Sequence, residues 1–415
     1  MQESTLQPFS LGDLFVAVTE LNDPNDDHAG RGRIIQYDVA GHQKGLLYLR
    51  DTTHLVGGLK FDPRGVLWAF DSQEFVVLNI HPDGKVVRRS EFPRRPFSHV
   101  NFAPDGTLYL GEHVVGSTVK PEIAARMHTK LPFMPGTDRF GDGHVWHFKS
   151  DGKLIKEYAT QTHGGMGGFL GVTMSTLSAD GKTLVYCSET GPRLMRYDLA
   201  NDKQLPDLQS FQPPFQGPPA MFFAMEYAPN GMLYVLRGGR VEVVDDSGAT
   251  KREIALPGFG WAIMDITTDG RYGYVGNYFS GDVLKIELAS GAQLGTIKTG
   301  GAKALAGVVE YQGEGTRAAR AQIVSKRTNA PIAPQPAVPP SSKRKPSRKT
   351  AARKKVVKKK PAQKRAATKS AVRKSAVKKS AAKKKSVTKR AKAAARTRAK
   401  SKRPSGKRRV VRRKK

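Results

Sequence analysis

The chain has 415 residues, with 70 Lys and Arg against 36 Asp and Glu, a formal net charge of +34. That average hides a division: from Arg317 to Lys415 there are 40 basic residues and no acidic one, which leaves 30 basic and 36 acidic residues in 1–316, a net of −6. The high isoelectric point is therefore not a property of the body, and the tail has no core of its own: no aromatic residue follows Tyr311, no Leu follows Leu305 and no Ile follows Ile332, so burial cannot offset the entropy of ordering it.

Taken in chain order, the N-terminus (MQESTLQPFSLGDLFVAV) lacks the basic and long apolar regions of a signal peptide. LFVAVTE, GRIIQYDV and GLLYLRD then read as the second, third and fourth strands of a blade whose innermost strand is missing. From there a strand followed by a turn ending in Gly recurs: LKFDPRG to Gly65, VNFAPDG to Gly106, STLSADG to Gly181, MEYAPNG to Gly231, DITTDG to Gly270 and a degenerate VVEYQG to Gly313. A second apolar run follows most copies (VLWAF, TLYLG, TLVYC, MLYVL, YGYVG), and a third strand comes after a polar break (HVWHFK, LMRYDL, VEVVD, VLKIEL). Asp-Gly and Asn-Gly supply the positive φ of tight hairpins, and alternating Val, Ile, Tyr and Phe fit half-buried strands. Repeats of about 40–50 residues with four strands each mark a β-propeller. Six copies predict an all-β, six-bladed β-propeller over 1–316, closed by a C-terminal strand that joins the N-terminal blade, since closure removes exposed edges. An insertion at about 114–143, directly after His113, reads as an ordered lid.

GVTMSTLSADGKTLVYCSETGPRLMRYDL (Gly171–Leu199) resembles the matching blade of the gluconolactonase and strictosidine synthase-like propellers, and YVGNYFSGDVLKIELASG (Tyr274–Gly291) is similar to propeller repeats in general. The resemblance implies a metal-dependent hydrolase of the lactonase or esterase kind, with one divalent metal ion held by Glu, Asn and Asp near the starts of the inner strands. Eight residues before each turn glycine stand Gly57, Ser98, Thr173, Phe223 and Ala262, none of them acidic or Asn.

The residues themselves offer another set. Loops after the second strands and loops into the inner strands share one face. The second strands end near Glu20, Asp71, Glu112, Glu189, Arg237 and Asn277; the inner-strand loops hold His54, His99 and His163; His113 sits beside Glu112, and the insertion adds His128 and Asp142. Imidazole with carboxylate suits a divalent metal or general acid–base work near neutral pH. The candidate metal set is His54, His99, His113, His163, Glu112 and Glu189, and the candidate catalytic set is His99, His163, Glu112 and Glu189; the competing reading is that these residues cap strand ends. THGGMGGF (Thr162–Phe169) reads as a hinge or tight crossing between blades in preference to a phosphate loop, because no helix signal and no Lys-Ser or Lys-Thr follows it. Cys187, the single cysteine, lies in an apolar strand and reads as core; it allows no intramolecular disulfide, which suits a reducing compartment. No apolar run approaches a membrane span of about 20 residues, so a cytoplasmic protein is expected.

Residues 317–340 are assigned to a Pro/Ala-rich linker around NAPIAPQPAVPP, an extended spacer. Residues 341–415 hold 36 Lys or Arg, with SAVRK, SAVKK, SAAKKK and SVTKR in succession, and resemble the Lys/Ala/Ser/Pro tails of linker histones and bacterial histone-like proteins. Lys343, Arg344, Lys345, Arg353, Lys354, Lys355, Lys358, Lys359, Lys360, Arg373, Lys374, Lys378, Lys379, Lys383, Lys384, Lys385, Arg408, Arg409, Arg412 and Arg413 are the candidate phosphate contacts. Counterion release would drive non-specific binding to DNA or RNA, nucleoid-associated in a bacterium and nuclear in a nucleated cell. The tail lacks aromatics for base stacking and any fixed element to read base edges. The expectation is a nucleic-acid-associated propeller whose face binds a small ligand or protein; the hydrolase is the alternative.

Overall fold

The computed structural model describes residues 4–50, 52, 56–72, 74–113, 143–162, 171–188, 191–211, 220–315 and 317–325. The chain divides into Met1–Ser341 and Ser342–Lys415, and all that follows concerns the first unit. The insertion at 114–142, His54, His163, Glu189, the glycine cluster from residue 163, the Pro-rich stretch and the basic tail lie outside the described residues.

Six four-stranded antiparallel sheets form the blades, and in each the strands run in order from the axis outward. Blade I comprises Leu305–Glu310, Leu14–Val18, Arg33–Tyr37 and Gln43–Tyr48; blade II Gly57–Phe61, Leu67–Asp71, Val76–Ile80 and Val86–Arg88. Blade III is Phe97–Phe102, Leu108–Glu112, Val145–Phe148 and Leu154–Tyr158; blade IV Met174–Leu177, Thr183–Cys187, Arg193–Asp198 and Lys203–Ser210. Blade V is Ala224–Tyr227, Leu233–Leu236, Arg240–Val244 and Thr250–Ala255; blade VI Trp261–Ile266, Tyr272–Asn277, Asp282–Glu287 and Gln293–Lys298. The expected closure is present: Leu14 pairs with Glu310 and Val16 with Val308. A hairpin, Glu20–Asp23 with Asp26–Arg31, rises between the second and third strands of blade I.

The second and third strands are buried on both faces, because each blade packs between two neighbours, while the outermost strands are largely exposed. In the second strand of blade II, Leu67 and Ala69 join the cluster shared with blade I, whereas Trp68 and Phe70 join the cluster shared with blade III. This period-2 division of side chains recurs, and six apolar clusters occupy the six blade interfaces. The turns follow the sequence signal. Gly65, Gly106, Gly181, Gly231 and Gly270 have φ of 74°, 83°, 71°, 80° and 70°, where a Cβ is strained. The Asp or Asn beside the turn caps it: Asp105 Oδ1 accepts from Thr107 N at 2.9 Å and Asn230 Oδ1 from Met232 N at 3.0 Å.

The N-terminal segment straps the closure. Thr5 N donates to Leu46 O at 2.8 Å. Phe9 meets Phe15, Phe61 and Tyr311 at ring separations of 4.5, 5.9 and 5.6 Å, at the seam between blades I and II. Past the last strand, Gly315 N donates to Pro63 O at 2.7 Å. The segment assigned to the linker opens instead with a helix, α1 (Arg317–Ser325), because RAARAQIVS is rich in helix-forming Ala, Arg and Gln and the prolines begin only later. Phe9→Ala should lower unfolding stability by about 2–3 kcal/mol through the cavity it leaves, with little change in m-value, as read by urea denaturation.

Candidate functional site

The inner strand of each blade has one side paired and the other facing the axis, so its outward backbone groups need partners. Side chains of the preceding blade supply several. Thr176 Oγ1 accepts from Tyr227 N at 3.4 Å, Glu226 Oε2 from Ile266 N at 3.0 Å, and Asp265 Oδ2 from Glu310 N at 3.2 Å. Those acceptors share one register. Lys60, Asn101, Thr176, Glu226 and Asp265 each stand five residues before a turn glycine, one per blade from II to VI. Blade I contributes Glu310, whose carboxylate accepts from Tyr274 OH at 2.5 Å.

Lys60 crosses the ring. Its ammonium bonds Glu226 of blade V, which lies opposite, and reaches Asp265 Oδ1 of blade VI at 3.3 Å. Burial pushes the Asp265 carboxyl up to about 7; Lys60 opposes the rise and the Glu226 charge adds to it. Sequence reasoning missed this layer. Its signal was a polar residue at the same offset in five successive repeats, hidden because the types differ (Lys, Asn, Thr, Glu, Asp). The Asp265 shift has a definite sign. A carboxyl at about 7 folded and about 3.9 unfolded binds more protons when folded, so stability from this group is present below about pH 4 and lost as pH rises through about 7. Asp265→Asn should flatten that part of the profile, read as the difference in midpoint between wild type and variant from pH 5 to 8. Lys60→Met should destabilise by up to about 3 kcal/mol at pH 8 and by less at pH 5, since it leaves buried Asp265 and part-buried Glu226 uncompensated.

At the mouth, the second strands end at Asp71, Glu112 and Asn277 or are followed by Thr19, Ser188 and Arg237, and all six are buried. Most hold loops in place. Asn277 Oδ1 accepts from Phe279 N at 3.0 Å and Ser280 N at 3.1 Å. Arg237 donates to Met221 O at 2.7 Å and to Glu242 at 3.0 Å, with Phe222 beneath its guanidinium at 4.2 Å. Glu20 is exposed and begins the blade I hairpin. Glu112, fully buried, accepts from Gly143 N at 2.8 Å and His144 N at 3.2 Å and pairs with Arg95 at 2.5 Å.

His99 lies on the inner strand of blade III, buried, with Nε2 2.5 Å from Ser175 Oγ and Nδ1 2.9 Å from Ser98 Oγ. Burial holds its pKa down to about 3, with the charge of neighbouring His113 adding to the effect. Of the candidate metal set, the described members are thus His99, His113 and Glu112, and His99 and Glu112 turn their polar atoms to protein partners. Among the described residues no three His, Cys, Asp or Glu side chains are grouped to hold a metal ion. Cys187 is core as expected, and burial pushes its thiol up to about 12.

The same mouth carries exposed aromatics. Phe259 is 42% and Phe279 54% exposed, with Phe223 packed on Phe259 at 6.0 Å. Gly238 and Gly260 let the rings lie close: a Cβ at Gly238 would sit 2.3 Å from the Phe259 ring.

No protein-family model matches the chain, and no curated protein matches it. Solved structures similar to it include a chain of the nidogen/laminin complex, at 10% identity and a TM-score of 0.49, over 73% of this chain and all of that one. Virginiamycin B lyase from Staphylococcus aureus is similar at 14% identity and a TM-score of 0.39, over 60% of this chain and 71% of that one. Among the described residues no helix is long and apolar enough to cross a membrane.

Proposed function

We propose that this protein is a binding propeller tethered to nucleic acid. The observation that carries the reading is the charge division: 40 basic and no acidic residues from Arg317 onward, against a net of −6 before it. Lys and Arg at that density neutralise phosphates and release condensed counterions, without regard to sequence and for DNA and RNA alike. Such a tail keeps the protein on the nucleoid of a bacterium or in a nucleus. The propeller face takes the second partner, a small ligand or protein. Exposed Phe259 and Phe279 at the mouth support that role, since exposed aromatic groups favour association. The engagement of Glu112 by Arg95 and two backbone amides favours a binding face over a metal-dependent hydrolase.

Titration of labelled duplex DNA with full-length protein tests the tether. With about 6–10 phosphates engaged, affinity should fall about 10³–10⁵-fold between 50 and 200 mM salt. A chain ending at Ser325 keeps the closed ring, whose last backbone tie among the described residues outside the helix is Gly315 to Pro63, and should not shift DNA at either salt concentration. Binding that ignores salt, or survives the truncation, would refute the reading.

A further inference from the structure

We propose that Ser175 and His99 form a nucleophile and base between two inner strands that accept the acyl group of a small ester or thioester. This inference is independent of the nucleic-acid tether. The two residues come from the inner strands of adjacent blades, IV and III, and His99 Nε2 lies 2.5 Å from Ser175 Oγ.

The surrounding partners fix the protons. Ser98 Oγ has Thr173 O at 3.1 Å, Val172 O at 3.3 Å and Gly111 O at 3.4 Å. Carbonyls only accept, so the Ser98 proton points to them, and Ser98 Oγ accepts from His99 Nδ1–H at 2.9 Å. That leaves Nε2 bare. On the other side, Asn101 Nδ2 donates to Ser175 Oγ at 2.7 Å, which directs the Ser175 proton onward to Nε2. The imidazole is therefore neutral, in the tautomer a general base requires, and anchored through its far nitrogen, as a nucleophile–base pair needs. Burial keeps it uncharged throughout the physiological range.

In the reaction, Ser175 Oγ bonds to the carbonyl carbon as its proton passes to His99 Nε2, and the C=O π pair moves to oxygen. Asn101, already donating to Oγ, is a donor beside the reacting centre. Collapse restores C=O and breaks the bond to the alkoxide or thiolate, which takes the proton from Nε2. Water then repeats the sequence, giving up its proton to Nε2, and releases the acid and free Ser175. Ser175 keeps 8% exposure and His99 4%, so only a small, narrow acyl donor is a fitting substrate class. A base this weak draws the proton only as the new bond forms; acylation is slow, and stoichiometric labelling is what the site should show first.

The test is incubation of the full-length protein with a small alkyl fluorophosphonate, followed by intact mass and peptide mapping. One adduct is expected, on Ser175. It should be absent from Ser175→Ala and form about 100-fold more slowly in His99→Gln. A wild-type protein that carries no adduct at Ser175, while a known serine hydrolase labels alongside it, overturns the proposal, and this measurement stands even where a variant does not fold. A His99→Gln variant that folds and labels at the wild-type rate also overturns it.

Discussion

The ring depends on one strand pairing, Leu305–Glu310 on Leu14–Val18. A four-stranded sheet with two apolar faces is not stable alone; it needs a neighbour on each side. Only a closed circle gives all six blades two neighbours. The pairing also joins residues nearly 300 positions apart, so the loop-closure entropy it carries is large, though it grows only slowly with length. The N-terminal strap with Phe9 and the tie from Gly315 to Pro63 secure this seam on the side where the chain ends would otherwise fray.

Closure creates a second problem at the axis. Six inner strands, each the last of its sheet, turn an unpaired edge to the axis. The polar layer answers it. Thr176, Glu226 and Asp265 accept from the next blade's backbone, and the carboxylates so gathered require a cation, which Lys60 supplies across the ring. The same geometry that satisfies the backbone also sets His99 against Ser175. Structural and chemical roles of the axis are thus hard to separate, because both come from polar side chains held in a confined, desolvated space.

The mouth illustrates the difference between residue type and residue role. Acidic, basic and amide groups at the ends of second strands look like a converging site when read along the chain. In the fold Glu112 binds the loop that follows it and Arg95, and Asn277 binds its own loop. Carboxylates and amides at strand ends meet unsatisfied N–H groups first, and those are nearer than any ligand. His54, His163 and Glu189 belong to the same expectation and lie outside the described residues.

The sequence by itself determined what is local. Asp-Gly turns, period-2 apolar strands and their sixfold recurrence specified the blades and the missing inner strand of the first, because backbone φ and strand faces depend on near neighbours. The charge division between body and tail is likewise readable from composition alone. Only the tertiary structure decided which polar groups meet. Lys60 and Glu226 are 166 residues apart, and His99 and Ser175 are 76 apart. No spacing announces such pairs: they are set by which strands face one axis, and that depends on the closed ring as a whole.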